Sequence, residues 1–242
     1  MDKQNAGSDL QLDLVIPCFN EAENIANLIE RAVFAKMESP NLRIIFVDNG
    51  SHDDTYQKLN ALTRDIPDFI LIKVPENQGY GYGIKIGLQY ATGDLVGWTH
   101  ADLQCDPFDA VRALKIVVEG NGTIFVKGKR YGRPIGDRLF TAGMTVFESL
   151  LFRKKLDDIN AQPTIFSRDL LDVVLGGPDD FALDLFAFAK AKELNAKVMR
   201  LPVRFGPRYK GQSSWNTSLR SRARFIRRTI RFSFSLAKGK RK

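Results

Sequence analysis

Cysteine and histidine are scarce in this chain, which has only two of each among its 242 residues. Cys18 and Cys105 do not have the short spacing of a thiolate metal site, and two cysteines are too few for a disulfide framework. A zinc-binding or disulfide-stabilised fold is therefore not expected. A reducing compartment is the default expectation for such a chain.

Long apolar runs and a secretory leader are also missing. No stretch approaches the roughly 20 apolar residues that a membrane-spanning helix needs, and the first nine residues are polar. We therefore expect a cytoplasmic protein that is not secreted. It would either stay in solution or lie on the inner face of a membrane without crossing it.

Acidic residues are absent from the C-terminal segment. Residues 204–242 contain thirteen Lys or Arg and no Asp or Glu, in a chain whose net charge is +8. A basic segment of this kind suits nucleic acid, an anionic membrane surface or phosphorylated substrates. At helical spacing, an arc of about 100° contains five arginines, namely Arg220, Arg224, Arg227, Arg228 and Arg231. This spacing predicts a basic amphipathic helix, with an ordinary surface helix packed on the domain as the alternative.

Strand-like and helix-like segments alternate along the preceding part of the chain. Apolar, β-branched runs at residues 12–16, 42–47, 69–74 and 94–98 are separated by segments with helical periodicity. This alternation predicts an α/β domain with a mostly parallel central sheet and helices on both faces. We assign residues 1–10 to a polar tail, 11–216 to the domain and 217–242 to the basic helix and tail. Pro202 predicts that its strand is at an edge of the sheet.

Polar residues follow three of the predicted strands. They are Pro17 to Glu21, Asp48 with Asn49, and Asn77 to Gly79. Because parallel strands end at one edge of a sheet, these residues should cluster there. The glycines of residues 79–83 do not fit a dinucleotide fingerprint, since Ile84 and Ile86 occupy the positions of its last glycine. A tight turn that leads into a helix is the better interpretation.

The segment HADLQ, residues 100–104, follows the predicted strand at residues 94–98. Alternate residues of an extended segment point the same way, so this strand end is predicted to place His100, Asp102 and Gln104 on one face. Imidazole, carboxylate and amide groups suit a divalent cation such as Mg²⁺ or Mn²⁺. Residues 127–133 then hold four cations, which are typical either of a solvated turn or of an anion site.

Taken in order, these motifs resemble the family 2 glycosyltransferases of the GT-A fold. The resemblance is nearest to the branch that includes dolichyl-phosphate mannose synthases and bacterial polyprenyl-phosphate glycosyltransferases, and it runs from about residue 12 to residue 215. The matching segments are VIPCFNEAENI (15–25), VDNGSHDDT (47–55), NQG (77–79), ADLQ (101–104), GKRY (128–131) and RYKGQS (208–213).

The resemblance implies a role for each matching residue. The nucleotide-sugar would be bound by Pro17, Phe19, Glu21, Asp48, Asn49, Gln78, Gly79, Ala101, Asp102, Arg130, Arg208 and Lys210, of which the last three neutralise its phosphates. The metal would be coordinated by Asp102 and Gln104. His100 stands where the family has the first aspartate of its metal motif, and imidazole suits Mn²⁺ better than Mg²⁺.

The resemblance further implies an inverting transferase that uses a nucleotide-sugar donor. The acceptor would be a polyprenyl or dolichyl phosphate or another cell-envelope precursor, and the alternative is a soluble or glycan hydroxyl. A hydroxyl acceptor needs a catalytic base, for which Asp184 and Asp180 are the candidates, although both equally suit helix-capping or surface positions. A phosphate acceptor is already an anion and needs none.

The basic segment bears on possible partners. An anionic membrane surface would be contacted through residues 218–242. The alternative function from another class is a nucleic-acid-binding protein that uses the same segment. No recognised nucleic-acid-binding module accompanies the segment, so no nucleic acid is expected as a partner. A nucleotidyltransferase would ordinarily show a glycine-rich motif with lysine near the first strand, and residues 17–24 lack one. The sequence leaves a homo-oligomer open.

Overall fold

The computed structural model describes residues 10–117, 122–132, 135–206, 227 and 229–234. Seven strands of these residues form one sheet. The strands are β1 (Leu12–Cys18), β2 (Leu42–Asn49), β3 (Phe69–Val74), β4 (Leu95–Trp98), β5 (Ile124–Tyr131), β6 (Thr164–Ser167) and β7 (Lys197–Arg204). The helices are α1 (Ile25–Glu38), α2 (Thr55–Thr63), α3 (Tyr80–Leu88), α4 (Phe108–Val117), α5 (Ile135–Phe152), α6 (Leu171–Leu175) and α7 (Leu183–Glu193).

The sheet has the strand order β3-β2-β1-β4-β6-β5-β7. β1 pairs in parallel with β2 and β4, β2 with β3, and β5 with β7, whereas β6 runs antiparallel to both of its neighbours. The prediction of a mostly parallel sheet in an α/β domain is confirmed. β7 is at the edge, as Pro202 predicted, because proline has no N–H to donate to a further strand.

Apolar side chains cover both faces of the sheet. Within β1, Leu14 and Ile16 belong to one buried cluster together with residues of α1 and α4, whereas Val15 belongs to a second cluster with residues of α3 and α7. Successive side chains of a strand point to opposite faces, and parallel strands covered on both faces are apolar throughout. Helices therefore pack on both sides, as the alternation predicted.

The glycines of residues 79–83 lie mostly inside a helix, so the interpretation as a tight turn before the helix is wrong. α3 already begins at Tyr80, and only Gly79 has a left-handed conformation, with φ of 126°. A β-carbon at Gly83 would lie 2.6 Å from the side chain of Asn49, and one at Gly81 would lie 2.5 Å from the carbonyl oxygen of Pro178. These glycines allow α3 to approach the neighbouring chain segments closely.

No helix within the described residues is both long enough and apolar enough to cross a membrane. Most of the predicted basic helix, from residue 218 onward, lies outside the described residues. Residues 227 and 229–234, which we call the tail helix, are helical.

Candidate active site

The loops that follow β1 and β2, and the turn that precedes α3, are tied together at the carboxyl edge of the sheet. The backbone N–H of Asn20 donates to Oγ of Ser51 at 3.0 Å, and that of His52 donates to Oδ1 of Asn20 at 2.9 Å. Nδ2 of Asn49 donates to the carbonyl of Gly79 at 2.9 Å. The three segments therefore form one continuous surface, as the sequence predicted.

Two acceptors at this edge are buried without a donor. Asp48 and Asn49 are 1% and 2% exposed. Oδ1 of Asp48 accepts a hydrogen bond from the backbone N–H of Ser51 at 3.2 Å, but Oδ2 of Asp48 and Oδ1 of Asn49 have no hydrogen-bond partner in the described part of the chain. Leaving a buried acceptor unpaired costs about 1–3 kcal/mol. A ligand with N–H or O–H groups would relieve that cost.

The other predicted nucleotide-binding residues differ in exposure and in contacts. Phe19 is 39% exposed, and the edge of its ring meets the ring of His52 with 6.2 Å between their centroids. Glu21 is half-buried, and its backbone N–H donates to Thr55, whereas the side chain of Gln78 is exposed. The remaining positions are Pro17, half-buried at the end of β1, and Ala101, buried after β4.

The predicted metal-binding segment is a turn, so the argument from strand alternation is wrong. β4 already ends at Trp98, and Leu103 has a left-handed backbone with φ of 58°. Oδ1 of Asp102 accepts a hydrogen bond from the backbone N–H of Gln104 at 3.1 Å. Nε2 of Gln104 donates to the carbonyl oxygen of Gly206 at 3.3 Å, which joins this turn to the end of the domain.

The residues of this turn fit a divalent cation that is shared with a ligand. Asp102 is 4% exposed, and it supplies a carboxylate one residue away from the positive-φ bend, while Gln104 supplies an amide. No group of three or more His, Cys, Asp or Glu in the described residues could hold a metal by itself. Mg²⁺ is usually bound by one or two carboxylates together with substrate phosphates, so a single carboxylate is a sufficient protein contribution.

His100 is turned toward a tyrosine of α3. Its Nε2 lies 2.9 Å from the hydroxyl of Tyr80, and the two rings meet edge to face at 5.4 Å. This bond occupies one of the two ring nitrogens, so a metal bond from His100 would have to use Nδ1. Burial lowers the pKa of His100, although the nearby carboxylates of Asp102 and Asp184 oppose that shift, so the imidazole is neutral at pH 7.

Asp184 lies at the centre of a buried polar network. Its Oδ1 accepts hydrogen bonds from Nζ of Lys127 at 2.6 Å and from Nε2 of Gln162 at 2.9 Å, and its Oδ2 accepts one from the hydroxyl of Tyr80 at 3.3 Å. The side chains of Lys127 and Asp184 are 0% and 3% exposed. Nζ of Lys127 also donates to Oγ1 of Thr164 at 2.5 Å. The carboxylate is therefore enclosed by protein donors.

The protonation of this network follows from its burial. Burial lowers the pKa of Lys127, and the adjacent carboxylate of Asp184 acts in the opposite direction. Burial, with a further contribution from Asp184, raises the pKa of Tyr80 well above its usual range, so this hydroxyl keeps its proton at neutral pH. Tyr80 thereby connects His100 to Asp184 as a neutral hydrogen-bonding group.

The other candidate base, Asp180, lies in the loop just before α7. Its Oδ1 accepts a hydrogen bond from the backbone N–H of Ala182 at 2.8 Å. Asp180 is half-buried, which makes it more accessible than Asp184. This bond is made to the residue before the first turn of α7, and a catalytic role for Asp180 stays a prediction.

Three of the four cations of residues 127–133 lie within β5 and therefore not in a turn, and Arg133 lies outside the described residues. Lys127 is buried against Asp184, and Lys129 is exposed. Arg130 forms a two-pronged ion pair with Asp158, whose carboxylate also accepts the backbone N–H of Arg130 at 2.7 Å. A phosphate role for Arg130 thus requires sharing its guanidinium with Asp158. The predicted phosphate ligands Arg208 and Lys210 lie outside the described residues.

The sequence did not single out four residues of this region, Tyr80, Gln162, Thr164 and Asp158, and it grouped Lys127 with the exposed cations. A lysine preceded by three apolar strand residues was the available sign that Lys127 is buried. Its partner Asp184 is 57 residues away in sequence, so no local pattern indicates the pair.

The model of the family described as glycosyl transferase family 2 matches residues 13–170. Among similar sequences, an undecaprenyl-phosphate 4-deoxy-4-formamido-L-arabinose transferase from Yersinia pestis is 35% identical over 113 residues. A protein of the same name from Yersinia pseudotuberculosis has the same identity over the same length. The match covers 46% of this chain and only 34% of the relative, so the chain aligns with about a third of that longer protein.

Solved structures with the same fold include two sugar transferases. The mannosyltransferase PcManGT from Pyrobaculum calidifontis, in complex with GDP-Man and Mn²⁺, has a TM-score of 0.66 at 21% identity, covering 96% of this chain and 65% of that one. Glucosyl-3-phosphoglycerate synthase from Mycobacterium tuberculosis, in complex with phosphoglyceric acid, has a TM-score of 0.74 at 18% identity, covering 96% and 82%. These similarities confirm the predicted GT-A fold.

Proposed function

Because the chain belongs to glycosyl transferase family 2, we propose that it is an inverting glycosyltransferase that moves a sugar from a nucleotide-sugar donor to a polyprenyl phosphate. The acceptor class is that in the name of its Yersinia relatives, which transfer to undecaprenyl phosphate. No nucleic acid takes part in this proposal. The reaction would take place at the inner face of a membrane, where a lipid-linked acceptor is found.

The observation that carries the proposal is the unpaired carboxylate oxygen of Asp48. It is buried beneath the linked loops and faces no protein donor among the described residues. A nucleoside offers N–H groups on its base and hydroxyl groups on its ribose, and either kind would satisfy this oxygen. Phe19 follows Cys18, which pairs with Asp48 in the sheet, and its exposed ring would provide an apolar contact for the same nucleoside.

The charge that develops on the leaving diphosphate is the main obstacle to transfer. When bound at Asp102 and Gln104, a divalent cation would neutralise part of that charge, an effect worth several kcal/mol at the transition state. Arg130 would add a guanidinium, shared with Asp158, and we assign Arg208 and Lys210 to the same task. Asp102 is enclosed at 4% exposure, which strengthens its interaction with a cation relative to water.

The state of Asp184 supports a phosphate acceptor over a hydroxyl. A general base must be within hydrogen-bond reach of the proton that it removes. The carboxylate of Asp184 is 3% exposed and already accepts from Lys127, Gln162 and Tyr80, so as it stands it has no contact with an incoming acceptor. An acceptor phosphate carries its own negative charge and attacks without a base. We therefore assign Asp184 a positioning role, through Tyr80 and His100.

Thermal unfolding with a panel of nucleoside diphosphates, with and without Mg²⁺ or Mn²⁺, tests the donor half of the proposal. One of them should raise the melting temperature only when a metal is present, because a ligand that binds the folded state stabilises it. Asp102→Asn should abolish that dependence. Asp106→Asn is the matched control in the same loop, since its carboxylate pairs with Arg31 at 2.6 Å and should leave the metal effect intact.

Sugar transfer to a short-chain polyprenyl phosphate, compared with the corresponding prenol, tests the acceptor half. The phosphate should be glycosylated and the prenol should not. Transfer to the prenol at an equal rate would contradict the acceptor assignment. The absence of stabilisation by every nucleoside diphosphate, with either metal, would contradict the transferase itself.

A further inference from the structure

One outward stripe of α5 is apolar and ends in a cation. Val146 and Leu150 are 58% and 74% exposed, and Arg153 beyond them is exposed too. These positions differ by four and three residues, so they lie on one face of the helix. These two large aliphatic side chains are both more than half exposed and form an apolar patch on one helix face. Exposed apolar patches can mark an interaction surface.

The tail helix presents a matching stripe. Arg227, Arg231 and Phe234 are separated by the same four and three residues, and all three are exposed, Phe234 by 47%. Of the two residues between Arg231 and Phe234, Phe232 is half-buried and Ser233 is buried. The tail helix therefore exposes its two arginines and about half of the Phe234 ring to solvent.

Two contacts hold the tail helix against α5. The hydroxyl of Ser233 donates to Oε1 of Glu148 at 2.6 Å, and Glu148 is fully buried. The rings of Phe147 and Phe234 meet edge to face with 5.9 Å between their centroids. Because Phe147 is adjacent to Val146, these contacts bring the two outward stripes into one neighbourhood.

The exposed charges on the second half of α5 and on the tail helix are of one sign. Among the described residues of 143–156 and of the tail helix, Glu148 is the only acid, and it is buried beneath Ser233. Arg153, Arg227 and Arg231 are exposed. Exposed apolar side chains flanked by arginines, without an exposed carboxylate, are complementary to a bilayer with negatively charged headgroups.

We propose that the outward stripes of α5 and the tail helix form one docking face for an anionic lipid bilayer. The apolar side chains enter the interface, and the arginines contact the headgroup phosphates. This inference rests on the proposed function in that a lipid-linked acceptor requires access to a bilayer. The docking face includes a surface of the folded domain, on α5, in addition to the basic segment. A nucleic acid would use the arginines but would leave Val146 and Leu150 exposed to water.

Vesicle flotation of the full chain tests this docking face. Vesicles of phosphatidylcholine with about 30% phosphatidylglycerol should carry the protein, and vesicles of phosphatidylcholine alone should not. Arg231→Gln should lower the partition coefficient about fivefold, the equivalent of roughly 1 kcal/mol for one arginine near an anionic surface. Leu150→Glu should lower it at least as much, because it places a charge where an apolar side chain enters.

Matched surface variants serve as controls. Met37→Glu changes a side chain that is 76% exposed on α1. Arg64→Gln removes a cation whose side chain is 67% exposed at the end of α2. Both should float like the unmodified protein. Equal flotation of all four variants, equal flotation on both kinds of vesicle, or preference for a nucleic acid over vesicles would overturn the proposal.

Metal-dependent stabilisation by a nucleoside diphosphate should be the same in all four variants. This measurement confirms that each variant is folded, and it separates the two proposals. Loss of flotation with intact nucleotide binding concerns the docking face alone. Flotation without any nucleotide binding contradicts the transferase and leaves the docking face standing.

Discussion

Replacing Lys127 by methionine should be among the most damaging single substitutions in the domain. The change removes the cation of the Lys127–Asp184 ion pair, whose side chains are 0% and 3% exposed and whose charged atoms lie 2.6 Å apart. Breaking a buried ion pair by removing one partner typically costs about 3–5 kcal/mol, because the other charge remains buried without its counterion. A typical domain has a free energy of unfolding of about 5–15 kcal/mol, so this loss is a large fraction of it.

Urea denaturation followed by circular dichroism measures this loss. The double variant Lys127→Met with Asp184→Asn should recover part of the stability, since no unpaired charge then remains, and the coupling energy should exceed about 1 kcal/mol. Arg64→Met is the control, because it breaks an ion pair whose side chains are 67% and 85% exposed. Exposed pairs contribute roughly 0.2–1 kcal/mol at most, so the control should stay near the parent protein.

The same variants decide what Asp184 does in catalysis. If Asp184 were a general base, Asp184→Asn would lower kcat by about 10²–10⁴ while Lys127→Met, which keeps the carboxylate, would spare kcat. The buried network predicts instead that both variants lower kcat together, since both disturb the position of Tyr80. A Lys127→Met protein as stable as the control, or strictly additive effects in the double variant, would refute this reasoning.

Three further predictions concern other parts of the domain. Gly83→Ala should destabilise the fold, because its β-carbon would lie 2.6 Å from the side chain of Asn49; unchanged urea midpoints would contradict this close approach. Tyr80→Phe should lower stability by about 1–3 kcal/mol, since it leaves buried partners such as Asp184 short of a hydrogen bond, and calorimetry measures the loss. Burial raises the pKa of Glu148 to about 7 in the folded protein. The unfolded chain ionises this carboxyl at lower pH than the folded protein does, so stability should fall as the pH rises from about 5 to 7. Glu148→Gln should remove that dependence in melting curves recorded across this range.

Much of the architecture follows from local patterns in the sequence. Alternating runs of β-branched residues and helical periodicity predicted a mostly parallel sheet, and Pro202 predicted an edge strand, because each of these patterns reflects contacts within a few residues. The polar residues after β1 and β2, such as Asp48, were assigned to one sheet edge for the same reason: parallel strands place all their carboxyl ends together. The general position of the site could thus be predicted.

The detailed arrangement of the site depends on contacts that no short window contains. His100, Asp102 and Gln104 do not share a strand face, since the chain bends at Leu103 in a conformation that a hydrophobic pattern does not indicate. The antiparallel insertion of β6 between β4 and β5 brings Thr164 to Lys127, and α7 brings Asp184 to the same point from 57 residues away. The sequence alone determined which chemical groups stand at the sheet edge. Only the tertiary structure decided which of them are enclosed by partners and which, like Oδ2 of Asp48, lack a donor among the described residues. The reason is that burial and pairing depend on segments that meet only after folding.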